Sequence, residues 1–527
     1  MKLDKIIEEG VDTYFSFNPV IATQRGNHNY DHLLARYDTD SIATQITFFE
    51  SYLQKLKEIK LEELPVRERV DYKIFNSFLN TNLRNLVDLK LAKKLPIIYI
   101  YSFLYGLYLL IARDYLPPEK RLENIKNRLV EASRVLREGK MNLVDPPATF
   151  IKIAQEIGQS GLMFLKFTIP PIFENNNQKP EVDRLIEQVS ESLQNFLSYL
   201  NTLPTNKDDF GVGREIFRKI LLEDHFIYHT PEELLSWGEM VLNDTMVKVE
   251  ELCNTVEPGL SPQEIFEKLR DDHPSTDSLL KEYREETSRV REFVLKKDLV
   301  DFPLYENLLI EETPLFARTI LPYVGYVSPP LLQNKQTGRF WITPTESKGL
   351  RAHYRKSIPI TVVHEAYPGH HLQFAFSGLN ESLIRKVSYS LLFREGWAFY
   401  CEELMDNVGY LSDPIFRLIR YKDQLWRAAR VIVDIKLHTQ GMTVIEGVNF
   451  LIEKAYLDRN EAESEVKRYT FNPTQPLSFL TGKREIISLI NDYKIKKGDK
   501  FNLKEFHNKL LSLGTIAPAM ARLELFS

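Results

Sequence analysis

The chain has 527 residues, of which 43% are hydrophobic and 27% are charged, and its formal net charge is −5. Such a length suggests about two or three domains, and the composition is that of an ordinary globular protein. The modest negative charge, with no concentrated basic patch, argues against nucleic acid as a main partner. Two cysteines, Cys253 and Cys401, exclude a disulfide framework and favour a reducing cytoplasm.

The N-terminal sequence MKLDKIIEEGVDTYF carries acidic residues where a signal peptide would have an apolar run, so we expect no secretion signal. The segment from Leu95 to Ala112 has 18 residues without a charge, which is near the lower limit for crossing a bilayer. Its four tyrosines are spread along the segment, whereas interfacial tyrosines would gather at the ends. We interpret it as a buried core helix and expect a cytoplasmic protein with no membrane partner.

Most of the chain has the apolar spacing of helices. Apolar residues recur every three or four positions in residues 43–59, 126–140 and 180–203. Thr230, with Glu233 three residues later, is typical of a helix start closed by a capping box.

The pattern changes between about Leu315 and Thr345, where β-branched and aromatic residues are punctuated by Pro and Gly. This composition predicts a small strand pair. The pair is either a structural hairpin or contains an edge strand that pairs with an extended substrate. Helical periodicity returns just before His364 and continues to about Leu404.

Three of the eleven histidines fall within eight residues of the segment TVVHEAYPGHHLQ, which runs from Thr361 to Gln373. An imidazole binds a divalent metal through a neutral ring nitrogen. A carboxylate beside the metal can take a proton from the bound water. His364 followed directly by Glu365 therefore indicates a metal-dependent hydrolase.

The spacing of the histidines also predicts a break in the helix. His370 and His371 follow His364 by six and seven residues, and on an unbroken helix neither could share one tetrahedral ion with it. Pro368 lacks a backbone donor, and Gly369 accepts conformations that other residues avoid. We therefore predict that these two residues interrupt the helix and return His370 to the face of His364.

A third ligand is predicted 25 residues after His370, where the chain reads REGWAFYCEEL. Glu395 is adjacent to Gly396, whose lack of a side chain would let two helices approach closely. Glu402 and Glu403 are alternatives, although a solvated face or a supporting position near the site suits them better. A site with two histidines and one glutamate leaves one position open for water, which is typical of a catalytic metal.

Arg430, Asp434 and His438 recur at four-residue spacing and so share one helix face. They form either a polar network that lines a cleft or a salt-bridge ladder on the surface. A hydrolytic transition state needs donors for its oxyanion. Arg430, His438 and Tyr469 are candidate catalytic residues for that task, although most tyrosines simply pack with the hydroxyl bonded nearby.

The segments HEAYPGHHLQ and REGWAFY resemble a large family of prokaryotic proteins known as domain of unknown function 885. That family is thought similar to the all-helical zinc peptidases with the HExxH signature, such as the oligopeptidases. The resemblance covers most of the chain, in blocks such as DDFGVGREIF, YVSPPLL and RYTFNPTQPLSFLTGK. It implies that His364, His370 and Glu395 hold Zn2+ and that Glu365 is the general base. The Gly-His pair that ends at His370 matches related peptidases, so His371 is the second choice as ligand and would otherwise be a nearby donor.

The resemblance further implies a mainly α fold with two lobes, of the metallopeptidase type, and a small β hairpin or sheet beside the cleft. Residues 1–310 would form a helical lobe that makes one wall or lid, and residues 311–527 the catalytic lobe, unless the chain is one continuous domain. The expected function is zinc-dependent hydrolysis of short peptides. The alternatives are an amidohydrolase or esterase acting on a non-peptide substrate, and a metal-binding scaffold without catalysis. The sequence leaves the native metal and the oligomeric state open.

Overall fold

The computed structural model describes residues 2–113, 115–204, 208–318, 321–344 and 347–527. Within these residues the fold is mainly α with one small sheet, which confirms the predicted class. The chain divides into two compact units, each built from separate stretches. The first unit comprises Met1–Glu63, Phe75–Phe210 and Pro314–Ile320, and the second comprises Leu64–Ile74, Gly211–Thr313 and Leu321–Ser527. The units therefore interleave in sequence. The predicted lobes of residues 1–310 and 311–527, or one continuous domain, stay a prediction.

Among the described residues, nine helices occupy the N-terminal part of the chain, and one of them, Val66–Val87, includes residues of both units. They are α1 Lys2–Phe17, α2 Pro19–Arg25, α3 Thr39–Lys57, α4 Val66–Val87, α5 Leu91–Lys94, α6 Ile97–Ala112, α7 Pro118–Asn142, α8 Ala148–Phe167 and α9 Lys179–Leu200. The uncharged segment forms α6, most of which is buried where it packs against α2, α7 and α8.

Across the described ranges, no single helix has both the length and the apolar character that a membrane crossing requires. The bent pair Val66–Lys94 and Ile97–Ala112, whose two parts meet at 95°, meets that requirement by length and composition alone.

The second unit holds the remaining helices. They are α10 Arg214–Glu223, α11 Pro231–Val256, α12 Pro262–Arg270, α13 Thr276–Lys296, α14 Ser347–Leu350, α15 Ile358–Glu365, α16 His370–Leu379, α17 Leu383–Val387, α18 Leu391–Asn407, α19 Pro414–Thr439, α20 Val444–Ala455, α21 Arg459–Thr470, α22 Ser478–Lys497, α23 Leu503–Ser512 and α24 Pro518–Leu525. Short 3-10 helices lie at Leu61–Glu63, Pro170–Phe173, Leu315–Ala317, Arg351–His353 and Gly498–Lys500. The predicted capping box at Thr230 and Glu233 is confirmed at the start of α11. The helical stretch predicted between His364 and Leu404 is divided among α15 to α18.

The sheet has three strands, β1 Glu306–Glu312, β2 Val324–Val327 and β3 Gln336–Ile342, in the order β1-β3-β2. The predicted strand pair is confirmed, because β2 runs antiparallel to β3 with Val324 opposite Ile342. Strand β1 is an addition and runs parallel to β3, with Glu306 opposite Gln336. Residues 319, 320 and 345 of the predicted region lie outside the described residues.

Two pairs of helices bring the later site residues together. Helix α19 packs against α11, and α18 packs against α22. At the second contact the backbones meet at Gly396 and Gly482, where a Cβ on Gly396 would lie 2.3 Å from the carbonyl carbon of Gly482. The close helix approach predicted at Gly396 is therefore confirmed.

Candidate metal centre

The chain between α15 and α16 breaks the helix at the predicted place. Helix α15 ends at Glu365 and α16 begins at His370. Ala366 leaves the helical path with φ −112° and ψ −87°, and the peptide bond between Tyr367 and Pro368 is cis. The predicted interruption is therefore confirmed. His364 lies one residue before the end of α15, and His370, after the turn, is the first residue of α16.

Gly369 is required in this turn because its backbone approaches that of α15. A Cβ at this position would lie 1.9 Å from His364 O and 2.4 Å from Val363 O, far inside the contact distance of about 3.5 Å. Both obstructing atoms belong to the backbone, so neither can rotate away as a side chain would.

We expect Gly369→Ala to lower the free energy of unfolding by about 1–3 kcal/mol and to weaken zinc binding, since the turn positions His370. Urea denaturation and zinc titration measure the two effects. Gly325→Ala is the matched control, because its new methyl group would meet only the movable side chain of Leu321 at 3.2 Å. Equal losses in the two variants would contradict this account of the turn.

The three predicted ligands lie together. His370 Nε2 is 3.3 Å and His364 Nε2 is 3.9 Å from Glu395 Oε2, and the two imidazole ring centroids are 4.9 Å apart. Ligand atoms about 2.0–2.1 Å from a tetrahedral zinc would be separated by about 3.3–3.4 Å. The donor set therefore fits a zinc ion. Among the described residues, no other His, Cys, Asp or Glu group has three donor atoms this close to one another.

The ionisation of these groups also suits a metal. All three side chains are buried. Burial raises the pKa of Glu395, but Arg394 and the two imidazoles lower it, and the net shift is downward, so the group is a carboxylate at neutral pH. Burial outweighs Glu395 and lowers the pKa of His370, which keeps that imidazole neutral. Metal binding requires these protonation states.

Glu402 orients the first imidazole. Its Oε1 lies 2.8 Å from His364 Nδ1, and both groups are buried. Burial lowers the pKa of His364, but the hydrogen bond to Glu402 and the charge of Glu365 raise it overall. In the neutral imidazole this hydrogen bond holds the proton on Nδ1 and leaves Nε2 free towards Glu395. Glu403 instead lies 2.7 Å from Lys483 Nζ, so of the two alternatives only Glu402 has a place at the site.

We expect Glu402→Ala to weaken zinc affinity by about 10–100-fold, because His364 would lose the acceptor that fixes its orientation. Competition with a chelator of known affinity measures the change. Glu402→Gln is the matched control, since its amide oxygen can still accept the Nδ1 proton and the loss should be smaller. An unchanged affinity in Glu402→Ala would exclude the orienting role.

Glu365, the predicted general base, is the last residue of α15 and is partly exposed. Its charge raises the pKa of neighbouring His364, and it makes no hydrogen bond to any other residue in the described ranges. A carboxylate in this position is free to accept a proton.

His371, the alternative ligand, has both ring nitrogens engaged. Its Nδ1 lies 3.0 Å from Tyr326 Oη and its Nε2 lies 2.7 Å from Glu306 Oε2. Burial raises the pKa of Glu306, but His371 and further partners lower it to about 2, so this carboxylate is ionised. The geometry therefore favours His370 as the ligand and makes His371 part of a neighbouring polar cluster.

The surface-ladder interpretation of Arg430, Asp434 and His438 is wrong, because all three side chains are buried. Asp434 accepts hydrogen bonds from the backbone N–H groups of Thr474 and Leu477. His438 Nε2 lies 3.0 Å from the backbone oxygen of Tyr469, and its ring contacts Phe217. These contacts indicate that Asp434 and His438 hold α19 to its neighbours, and they lend no support to a catalytic role for His438.

Tyr469 and Arg430 belong to one buried network. Arg430 Nε donates to Tyr469 Oη at 2.8 Å, and Arg430 Nη2 donates to Glu465 at 2.6 Å. The Tyr469 hydroxyl also accepts from Trp426 Nε1 and donates to Glu465 at 2.8 Å. The Tyr469 hydroxyl therefore already donates its proton to Glu465. The oxyanion role predicted for Tyr469 stays a prediction, and these contacts do not support it.

Sequence patterns missed several residues that support the site. Trp397 Nε1 donates to Pro368 O at 2.8 Å and so ties the turn to α18. The ring of Phe479 stacks on His364 with centroids 6.1 Å apart. Arg394 Nε lies 3.4 Å from Glu395 Oε1. Trp397 and Arg394 are in the REGWAFY block itself, whereas nothing in the sequence indicates Phe479.

Two solved structures share the fold. A candidate lipoprotein of unknown function from Shewanella oneidensis matches with a TM-score of 0.81 and 22% identity, covering 100% of both chains. A candidate lipoprotein from Colwellia psychrerythraea matches with a TM-score of 0.83 and 18% identity, covering 99% of this chain and 98% of that one. At these identities the likeness shows the fold alone, and the cytoplasmic location stays a prediction.

Comparison with curated proteins gives no match. The family described as bacterial protein of unknown function (DUF885) matches residues 19–525, which is nearly the whole length. That range includes the broken HEAYPGHH helix and the REGWAFY helix that together form the candidate metal centre. The chain therefore belongs to the domain of unknown function 885 family.

Proposed function

We propose that this protein is a zinc-dependent hydrolase that cleaves peptide bonds in short peptides. The observation that carries the proposal is the buried trio His364, His370 and Glu395, whose donor atoms all lie within 4.8 Å of one another and so are close enough to share one ion. An unengaged carboxylate, Glu365, adjoins the trio. Three protein ligands leave a fourth position open, as catalytic zinc sites do.

When bound, zinc would polarise the substrate carbonyl and lower the pKa of its water to about 7. Glu365 accepts the proton of the attacking water and then passes it to the leaving amine. Glu402 keeps His364 in one tautomer and one orientation during the reaction. The turn that Trp397 and Gly369 stabilise holds His370 in place.

An extended peptide is the substrate that suits the neighbouring sheet. Strand β2 is at one edge of the sheet. Its Tyr326 ring stacks against His370, with centroids 6.1 Å apart. An edge strand offers backbone groups to an extended chain, which favours a peptide over a compact ester or amide.

Metal analysis of the purified protein, followed by mass spectrometry of a digested peptide mixture, tests the proposal. We expect about one zinc per chain and peptide cleavage that stops when a chelator is added. Hydrolysis of small esters or amides but of no peptide would favour the amidohydrolase alternative. Bound zinc without hydrolysis of any substrate would favour the scaffold.

A further inference from the structure

Two buried arginines close to the metal centre have donors without acceptors. Arg427 and Arg430, on α19, are 9% and 4% exposed. Arg427 Nε and Arg430 Nη1 are buried and have no hydrogen-bond partner in the described part of the chain. An unpaired donor on a buried charge costs considerable free energy unless a ligand supplies the acceptor.

The charges around these arginines do not balance. Asp423 pairs with Lys422 and Arg427, and Glu465 pairs with Arg430 and Arg468. Four cations thus share these two carboxylates. Glu461 is a further carboxylate near Lys422 and Glu465, and burial raises its pKa. The contact between Arg427 and Asp423 is long, at 3.5 Å, so this guanidinium is the less satisfied of the two. An anionic group would complete the cluster.

The ring of Phe479 lies between the two arginines and the predicted ligand His364. The ring centroid of Phe479 lies 5.7 Å from Arg427 Cζ and 4.4 Å from Arg430 Cζ, and the same ring stacks on His364. Trp426 contacts both guanidinium groups from its own side, at 4.7 and 4.3 Å, and is partly exposed. A ligand held at the metal could therefore extend past Phe479 to the two arginines.

We propose that Arg427 and Arg430 bind the C-terminal carboxylate of the peptide substrate, so that cleavage occurs close to the C-terminal end. An extended peptide residue spans about 3.5 Å. A few residues are therefore enough to reach from His364 past Phe479 to the two arginines. Planar guanidinium groups match a carboxylate in charge and in geometry. The inference rests on the proposed peptidase function and names the substrate class for it. An acidic side chain of the peptide also presents a carboxylate, and the experiment therefore tests a peptide of that kind separately.

The experiment measures binding to the zinc-loaded Glu365→Gln variant, which should not consume its ligand. Calorimetry compares N-acetyl-trialanine with a free carboxylate, the same peptide as its C-terminal amide, and an amide peptide that carries one internal glutamate. We expect the free acid to bind at least about 10-fold more tightly than either amide, because it gains charge-assisted hydrogen bonds. Adding Arg427→Gln should reduce this preference to less than about 3-fold.

Arg417→Gln is the matched control, since Arg417 is on the same helix but pairs with Asp406 and is about 15 Å along the axis from Arg427. It should keep the full preference. Circular dichroism verifies that each variant is folded. The comparison of the free acid with its amide does not depend on the arginine variants, so it tests the proposal even if one of them fails to fold. The assignment would be overturned if the free acid and its amide bound with equal affinity, or if neither bound. It would also be overturned if the amide peptide with an internal glutamate bound as tightly as the free acid.

Different results would contradict the peptidase function and the carboxylate site. If the wild-type zinc protein hydrolyses acid and amide peptides at equal rates, the peptidase function stands and the carboxylate site does not. If the free acid binds selectively and Arg427→Gln removes that selectivity, yet no peptide is cleaved, the site stands and the peptidase function does not.

Discussion

Glu365→Gln should reduce turnover of a cleaved peptide by about 10²–10⁴-fold while the protein keeps its zinc. Glutamine has nearly the size of glutamate and keeps one acceptor oxygen, but its neutral amide cannot take up the proton of the water. Glu365 adjoins the predicted ligands without belonging to the trio of donor atoms, so its replacement leaves the donor set intact. The expected effect therefore falls on catalysis and not on metal content.

Steady-state kinetics and metal analysis of the same preparation separate the two quantities. Glu381→Gln is the control, because its side chain is 88% exposed and its ion pair with Arg67 is long at 3.6 Å. It should match the wild type in both measurements. A fully active Glu365→Gln variant would leave the carboxylate without the role of base.

Glu395→Gln should weaken zinc affinity by more than the roughly 10–100-fold expected for an outer partner such as Glu402. The carboxylate is ionised in its buried position, and a neutral amide oxygen replaces neither its charge nor its donor strength. The same change also leaves Arg394 beside an uncharged group, since its Nε is 3.4 Å from Glu395 Oε1.

Competition with a chelator measures the affinity. Glu403→Gln is the matched control, as it is the same substitution on the same helix and its amide can still bond Lys483. It should bind zinc as the wild type does. If Glu395→Gln bound zinc with unchanged affinity, the third ligand would have to be another residue.

The geometry of the candidate metal centre is partly predictable from the sequence, because the residues that shape the turn are neighbours in the chain. Pro368 and Gly369 are breakers whose effect on a helix depends on their own backbone, so the turn follows from the sequence. The choice between His370 and His371 does not, because the group that engages His371 Nε2 is Glu306, 65 residues earlier in the chain. Spacing within one segment contains no information about such a distant partner.

Other differences have the same origin. Strand β1, with the sequence ENLLIEE, has acidic residues at its ends and forms through pairing with β3, so no alternation revealed it. The four-residue spacing from Arg430 to His438 defines a helix face correctly. It does not say whether that face meets solvent or protein, and tertiary packing buries it.

Helix α18 carries both Glu395 and Glu402, which are seven residues apart, nearly two full turns, and so point to almost the same side. Any rotation of this helix would move the predicted ligand Glu395 together with Glu402, which orients the predicted ligand His364. The rotation is fixed where Gly396 meets Gly482, since a Cβ on Gly482 would lie 2.0 Å from Leu392 O. A larger residue at position 482, although remote from the histidine motif in sequence, would therefore displace Glu395 and Glu402 and disrupt the candidate metal centre.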